Sequence, residues 1–248
     1  MRACYNYAVS LSSLEERNQP MDDPIRRRRR RRAPVPLSRD RVIEAALRIA
    51  DAEGIDAVSM RRLGQELDVE AMSLYKHVAG KEDILDRLVD LVMAEVPPPS
   101  PDGPWRAGIR RASLDLHGAL LRHPWAVSVM ETRRTPGPTR LRYLDTVVGL
   151  LLGAGFDTSG VGDAFMAIDS LVYGFTVQQL SFPIDLATDA DEAAAMARDV
   201  FAVGYPNLVR MADTLATGPG YQLDLGFGLD LILDGLERIL AERRLPAS

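Results

Sequence analysis

Between Ser59 and Lys81 the chain concentrates side chains that donate hydrogen bonds or carry positive charge. Those of interest are Ser59, Arg61, Ser73, Tyr75, Lys76, His77 and Lys81, with Met72 among them. This set suits contact with a polyanion whose grooves display acceptors, donors and methyl groups. Catalytic machinery is not legible. The chain has no Gly-x-Ser-x-Gly elbow, Walker loop or His-Glu-x-x-His motif. Gly226 and Gly228 lack a third glycine and a preceding strand, and the three histidines are too widely spaced for a metal triad. The sequence therefore predicts no catalytic residue, no cofactor and no metal.

Local signals show how the cationic set would be held. Ser38 is a helix N-cap followed by Val42, Ile43, Ala46, Leu47 and Ala50 at helical spacing, with Gly54 as the stop. Ser59 caps a second helix, on which Leu63 and Leu67 share a face. Asp68 is the turn residue, one of the few types that tolerates a left-handed backbone. A short helix over 70–78 follows. It turns Leu74 and Val78 to the core and leaves Met72, Ser73, Tyr75, Lys76 and His77 on or near the open side. Gly80 ends it, and Lys81, Glu82 and Asp83 start a longer helix to about residue 96, with both acids at its N-terminus. The result is a helix-turn-helix whose second helix suits a DNA major groove. Such pairs also serve as plain scaffolding, so the residues alone leave both readings open.

The run from Leu37 to Ala94 resembles the tetracycline-repressor (TetR) family of bacterial regulators. The likeness lies in Val42-Ile43-Glu44-Ala45-Ala46, in Glu53-Gly54 and in Ser59-Met60-Arg61-Arg62-Leu63-Gly64. It is densest from Ser73-Leu74-Tyr75-Lys76-His77 through Val78-Ala79-Gly80-Lys81 to Leu85. The resemblance implies that Arg61 reaches a guanine edge, which a guanidinium fork can bond at O6 and N7 together. It places Met72 and Ser73 at base or thymine-methyl contacts. It places Tyr75, His77 and Lys81 at phosphates, with Ser59 a further contact. Lys76 stands where many relatives carry an aromatic ring, so a charge contact is expected there. Asp68 departs from the glycine usual at the turn, and its charge should slightly weaken affinity for DNA.

Residues 97–104, Pro-Pro-Pro-Ser-Pro-Asp-Gly-Pro, cannot be helical and mark a domain boundary. Beyond them, helices are expected near 105–122, 126–132, 138–153, 159–181, 191–204, 206–216 and 222–244. No region alternates with period two, so the fold class is all-α. Its expected parts are an Arg-rich arm over 1–36, a helix-turn-helix domain with connecting helix over 37–96, and a larger helical domain over 97–248. Two helices are apolar on more than one face. One carries Phe165, Ile168, Leu171, Val172, Phe175 and Leu180; the other carries Phe227, Leu229, Leu231, Ile232, Leu236, Ile239 and Leu240. Such helices are deep core or have a second partner. The resemblance implies a four-helix homodimer interface and hence a near-palindromic operator on double-stranded DNA.

The resemblance also implies repression relieved by a small-molecule effector bound in the C-terminal domain. Leu116, His117, Leu120, Trp125, Met130, Phe165, Met166, Asp169 and Tyr173 are the expected lining, with His117 as a polar ring that could orient a ligand. The tetracycline repressor holds a drug–magnesium chelate. At the approximately corresponding stretches this chain carries Ala112, Leu116 and Met130, so a more apolar effector and no bound metal are expected.

Composition sets the outer bounds. The net charge of −5 hides a run of seven arginines at 26–32, so the field near a DNA face matters more than the total. That run reads as phosphate attraction or minor-groove contact, or as a solvated tail. Cys4 is the only cysteine and excludes an intrachain disulfide. No apolar stretch reaches membrane length and no secretion signal is legible, so a cytoplasmic protein without a membrane partner is expected. Two functional alternatives stay open: a ligand-responsive activator, and an interaction protein that has lost specific DNA reading.

Overall fold

The computed structural model describes residues 36–133, 135–181, 195, 199–200, 204–217 and 224–244. The arginine run at 26–32 lies outside the described residues, and so does most of the helix expected over 191–204. Among the described residues all regular structure is helical, as expected. The helices are α1 (Arg39–Glu53), α2 (Met60–Leu67), α3 (Ala71–Leu74), α4 (Lys81–Ala94), α5 (Trp105–Arg122), α6 (Trp125–Thr132), α7 (Pro138–Ala154), α8 (Thr158–Ser181), α9 (Pro206–Thr217) and α10 (Leu225–Arg244).

The expected caps are in place. Ser38 Oγ accepts the Arg41 N–H at 3.3 Å. Ser59 Oγ accepts the Arg62 N–H at 3.2 Å. Asp68 takes the left-handed conformation at φ 55°, ψ 47° and closes α2. The third helix differs from expectation. It is regular only over Ala71–Leu74 rather than across 70–78. Beyond Leu74 the coil tightens: the His77 N–H bonds Leu74 O at 2.9 Å, three residues back, while Val78 N–H keeps a four-residue bond to the same oxygen at 3.1 Å. Such tightening is a common way to finish a helix. Here it lets both Leu74 and Val78 reach the core before the chain turns at Gly80.

One continuous apolar core runs from α1 to α10. Leu63, Leu74, Ile84 and Leu88 bind the small helices together; Ile109, Leu120, Leu151, Leu229 and Leu233 fill the larger part. Helix α4 is common to both, packing on α1 and also on α5, α6 and α7. Gly228 faces Leu171, whose side chain lies 3.2 Å from where a Cβ would stand, so α8 and α10 approach closely there. No helix among the described residues is long and apolar enough to cross a membrane.

Candidate nucleic-acid interface and effector cleft

The α2–turn–α3 unit is set by contact between backbones. A Cβ at Gly64 would lie 2.8 Å from the Val69 carbonyl oxygen and 3.3 Å from the Ala71 nitrogen. The Val69 N–H bonds Gly64 O at 2.9 Å across the same crossing. α3 is therefore fixed to α2 at van der Waals distance, and its orientation follows from a missing side chain.

The two adjacent arginines of α2 have different duties. Arg62 is committed internally: its guanidinium lies 2.6 Å from Glu53 and 3.0 Å from Glu66. These hydrogen bonds raise its pKa and lower that of Glu53. Arg61 is exposed and makes no ion pair among the described residues. Met72 is 74 % exposed and Tyr75 is 50 % exposed. A ring half in water is not simply a packing element of the small domain. Lys76 and Lys81 are exposed, while Ser73 and His77 are half-buried. Among the described residues none of these side chains is engaged in an ion pair. Ser59 spends its oxygen on the cap, which leaves its hydroxyl proton free to point outward.

Two polar joints attach α4 to the larger helical part. In the first, Arg133 lies 2.7 Å from Glu82 and 2.7 Å from Asp86, with Nε meeting Asp86 off the hydrogen-bond axis. The buried Asp90 accepts the Thr139 N–H at 2.8 Å, capping the start of α7. In the second, His123 is buried between two carboxylates. Nδ1 stands 2.7 Å from Asp51 of α1 and Nε2 stands 2.9 Å from Glu95, the residue that closes α4. Trp125 donates its indole N–H to Asp51 at 2.7 Å, and Arg122 holds Glu95 at 2.7 Å. Burial alone would lower the His123 pKa. The hydrogen bonds and charges of Asp51 and Glu95 outweigh it and raise the value. Sequence pattern alone points to His117 and gives His123 no special place.

The expected effector residues do not all meet in one place. A narrow cleft with a cavity volume of about 10 Å3, room for about one water, lies between α5, α7 and α8 and is lined by Ile109, Ser113, Leu116, Tyr143, Val147, Phe165, Ile168, Asp169 and Val172. Leu116, Phe165 and Asp169 are thus on its wall. As it stands, the cleft admits nothing larger than water. Leu120 and Met130 are buried in the core behind it. Tyr173 is half-buried, and among the described residues its hydroxyl meets the Met130 sulfur at 3.8 Å. Three residues lie elsewhere. His117 bonds Thr176 Oγ1 at 2.8 Å and packs edge-on against Phe175, and burial lowers its pKa. Trp125 belongs to the His123 joint. Met166 is 61 % exposed, because α8 is apolar around most of its circumference and Met166 lies on the stripe that faces outward. It is not among the residues that line this cleft. Ser113 and Tyr143 were missed; neither residue type stands out on an otherwise apolar helix.

Comparison with known proteins matches this architecture on both sides of residue 97. The family model described as bacterial regulatory proteins, tetR family, matches residues 42–88. The model described as tetracyclin repressor-like, C-terminal domain, matches residues 97–240. The HTH-type transcriptional repressor DrrR1 of Streptomyces coeruleorubidus is 37 % identical over 228 residues, covering 88 % of this chain and 84 % of that protein. The class C tetracycline repressor of Escherichia coli is 26 % identical, covering 82 % of this chain and 92 % of its own. Among solved structures, the Streptomyces coelicolor TetR-family protein ActR in complex with actinorhodin superposes with a TM-score of 0.65 at 31 % identity. The match covers 83 % of this chain and 99 % of that one. The two relatives are described as repressors, and the solved structure as that of a TetR-family protein. This chain belongs to the tetR family of bacterial transcriptional regulators.

Proposed function

We propose that the chain is a homodimeric repressor that binds a palindromic operator through α2 and α3 and is released from it by a small, largely apolar effector. The observation that carries this reading is the open α2–α3 face. Arg61 of α2, Tyr75, Lys76 and His77 just beyond α3, and Lys81 at the start of α4 have no ion-pair partners among the described residues, while the neighbouring Arg62 is held by Glu53 and Glu66. In the proposed division of the chain, residues 37–96 read DNA, residues 97–248 bind effector and partner, and residues 1–36 supply a basic arm. Arg61 bonds a guanine edge, Met72 and Ser73 meet base edges, and Ser59, Tyr75, Lys76, His77 and Lys81 meet phosphates.

Dimerisation is supported by apolar side chains left in water on α8 and α10. Met166, Val177, Leu180, Phe227, Leu231 and Ile239 are each between 39 % and 67 % exposed. A second copy would cover them and set two recognition helices one DNA turn apart. The effector would enter the α5–α7–α8 cleft, which is almost closed in this structure. Parting those helices would displace α7 against α4, which is tied to it through Asp90 and Thr139. A 100-fold loss of operator affinity requires about 2.7 kcal/mol of preference for the released state. The cytoplasm is the compartment in which such a protein works.

Two substitutions test the interface. Arg61→Ala is expected to cost about 1–3 kcal/mol of operator binding and to relax preference at one base pair per half-site. Selection of bound sequences with the variant measures this, and an unchanged preferred sequence would show the assigned role to be wrong. Lys81→Ala is expected to weaken all sequences alike and to reduce the slope of log affinity against log salt by about one for each phosphate that the lysine neutralises. Titrations between about 50 and 200 mM salt, the range over which such slopes are usually read, supply that number.

A further inference from the structure

The cleft between α5, α7 and α8 is lined mostly by apolar residues, among them Leu116, Val147, Phe165 and Ile168, with three polar ones. The polar residues of its lining are Asp169 of α8, Ser113 of α5 and Tyr143 of α7, and the charge of Asp169 reaches the Tyr143 hydroxyl. Ser113 is 2 % exposed and Tyr143 is 8 % exposed, so water gives them little. Among the described residues the Asp169 carboxylate has neither a hydrogen bond nor an ion pair. Among the described residues the guanidinium whose charge reaches it is that of Arg140, which donates to the Met130 carbonyl at 2.9 Å. Glu131 adds a second negative charge nearby. A half-buried carboxylate left in this condition is a cost to the fold, and an opposite charge placed beside it would remove that cost.

We infer that the cleft takes a compact lipophilic cation, a protonated amine on an apolar body, with the ammonium seated on Asp169 and donating further to Ser113 Oγ and Tyr143 Oη. The inference rests on the reading of this cleft as the effector site and names its ligand class. An ammonium offers three donors to three oxygens, while its hydrocarbon body meets the Leu116, Phe165 and Ile168 walls. Burial, with Glu131 adding to it, pushes the Asp169 pKa up to about 6. The folded chain therefore binds a proton more tightly than the unfolded one, and stability falls as pH rises from near 4 through 6. At pH 7.5 the charged side chain opposes folding, and Asp169→Asn is expected to raise the melting temperature of the unliganded protein.

The test uses three cage compounds of nearly the same size on the full chain at pH 7.5: 1-aminoadamantane, 1-adamantanol and 1-adamantanecarboxylate. Binding is read by calorimetry and by shift of the melting temperature, for the wild type and for Asp169→Asn. The ammonium compound is expected to bind about 10-fold more tightly than the alcohol, and the carboxylate least of all. Asp169→Asn should erase that order. Equal binding of the three, a preference that survives Asp169→Asn, or no binding of any of them would overturn the inference. Operator release is measured separately with selected DNA. Asp169-dependent binding of the amine without release would keep the ligand class and overturn the effector reading instead.

Discussion

Gly64→Ala is expected to lower operator affinity by about 5- to 150-fold, corresponding to about 1–3 kcal/mol of overpacking. The new methyl would stand 2.8 Å from the Val69 carbonyl oxygen and 3.3 Å from the Ala71 nitrogen, both backbone atoms that no rotamer change can move aside. α3 must swing away from α2 to admit it. The swing carries Met72, Ser73 and Tyr75 out of register with Arg61. Gly149→Ala is the matched control: it also lies inside a helix, and nothing stands within 4 Å of its added Cβ. That change is expected to be neutral or to stabilise the fold by about 0.5–1 kcal/mol, because alanine is the better helix former. Fluorescence anisotropy on operator DNA, with a thermal melt of each variant, separates the two. Equal operator affinity for Gly64→Ala and the wild type would mean that the α2–α3 crossing does not position the reading residues.

His123→Leu is expected to destabilise the chain by about 1–3 kcal/mol, because it leaves Asp51 and Glu95 facing an apolar side chain. For a chain of this size each kcal/mol moves the melting temperature by about 2–4 °C. The more specific expectation concerns pH. Only the protonated ring donates from both nitrogens, to Asp51 at 2.7 Å and to Glu95 at 2.9 Å. The folded pKa of His123 is raised, so its contribution is complete below the unfolded value near 6.5 and is lost as pH rises through the folded value. Glu95 sets the other edge. Burial would raise its pKa, but the hydrogen bonds from Arg122 and His123 and their charges lower it. Its contribution is present above the unfolded value and lost as pH falls through the folded one. The joint is therefore strongest between these two limits. The gap in melting temperature between wild type and His123→Leu should narrow as pH rises from about 6 to 9, the side on which the ring deprotonates. A gap that stays constant over that range would show that the ring is not protonated in the fold. Because the joint ties α1 and the end of α4 to the α5–α6 corner, its weakening is also expected to blunt transmission from cleft to reading head.

The reading head was legible because its determinants are local. Ser38 and Ser59 cap within three residues, Asp68 turns the chain by its own backbone preference, and Leu63, Leu74 and Val78 are placed by helical spacing alone. The irregular end of α3 was not, because its tightening depends on what Val78 must reach. The His123 joint was hidden for a different reason. Its partners are 72 and 28 residues away in the chain, and no periodic pattern connects Asp51 or Glu95 to a histidine beside Pro124. For α8, a helix apolar on most of its faces gives no sequence basis for choosing the inward stripe. Phe165 and Asp169 fell on the cleft side and Met166 did not. Distinguishing Arg61 from Arg62 needed coordinates as well, since only the structure shows that Glu53 and Glu66 hold the second.

The central claim is that the open α2–α3 face reads a symmetric DNA sequence. It is tested most directly by selecting bound sequences from random double-stranded DNA with the purified full-length chain at moderate salt. An enriched inverted repeat, with the preference at one position per half-site lost in Arg61→Ala, is the expected result. Binding that is salt-sensitive but enriches no sequence would contradict it, and would assign DNA affinity to phosphate attraction alone.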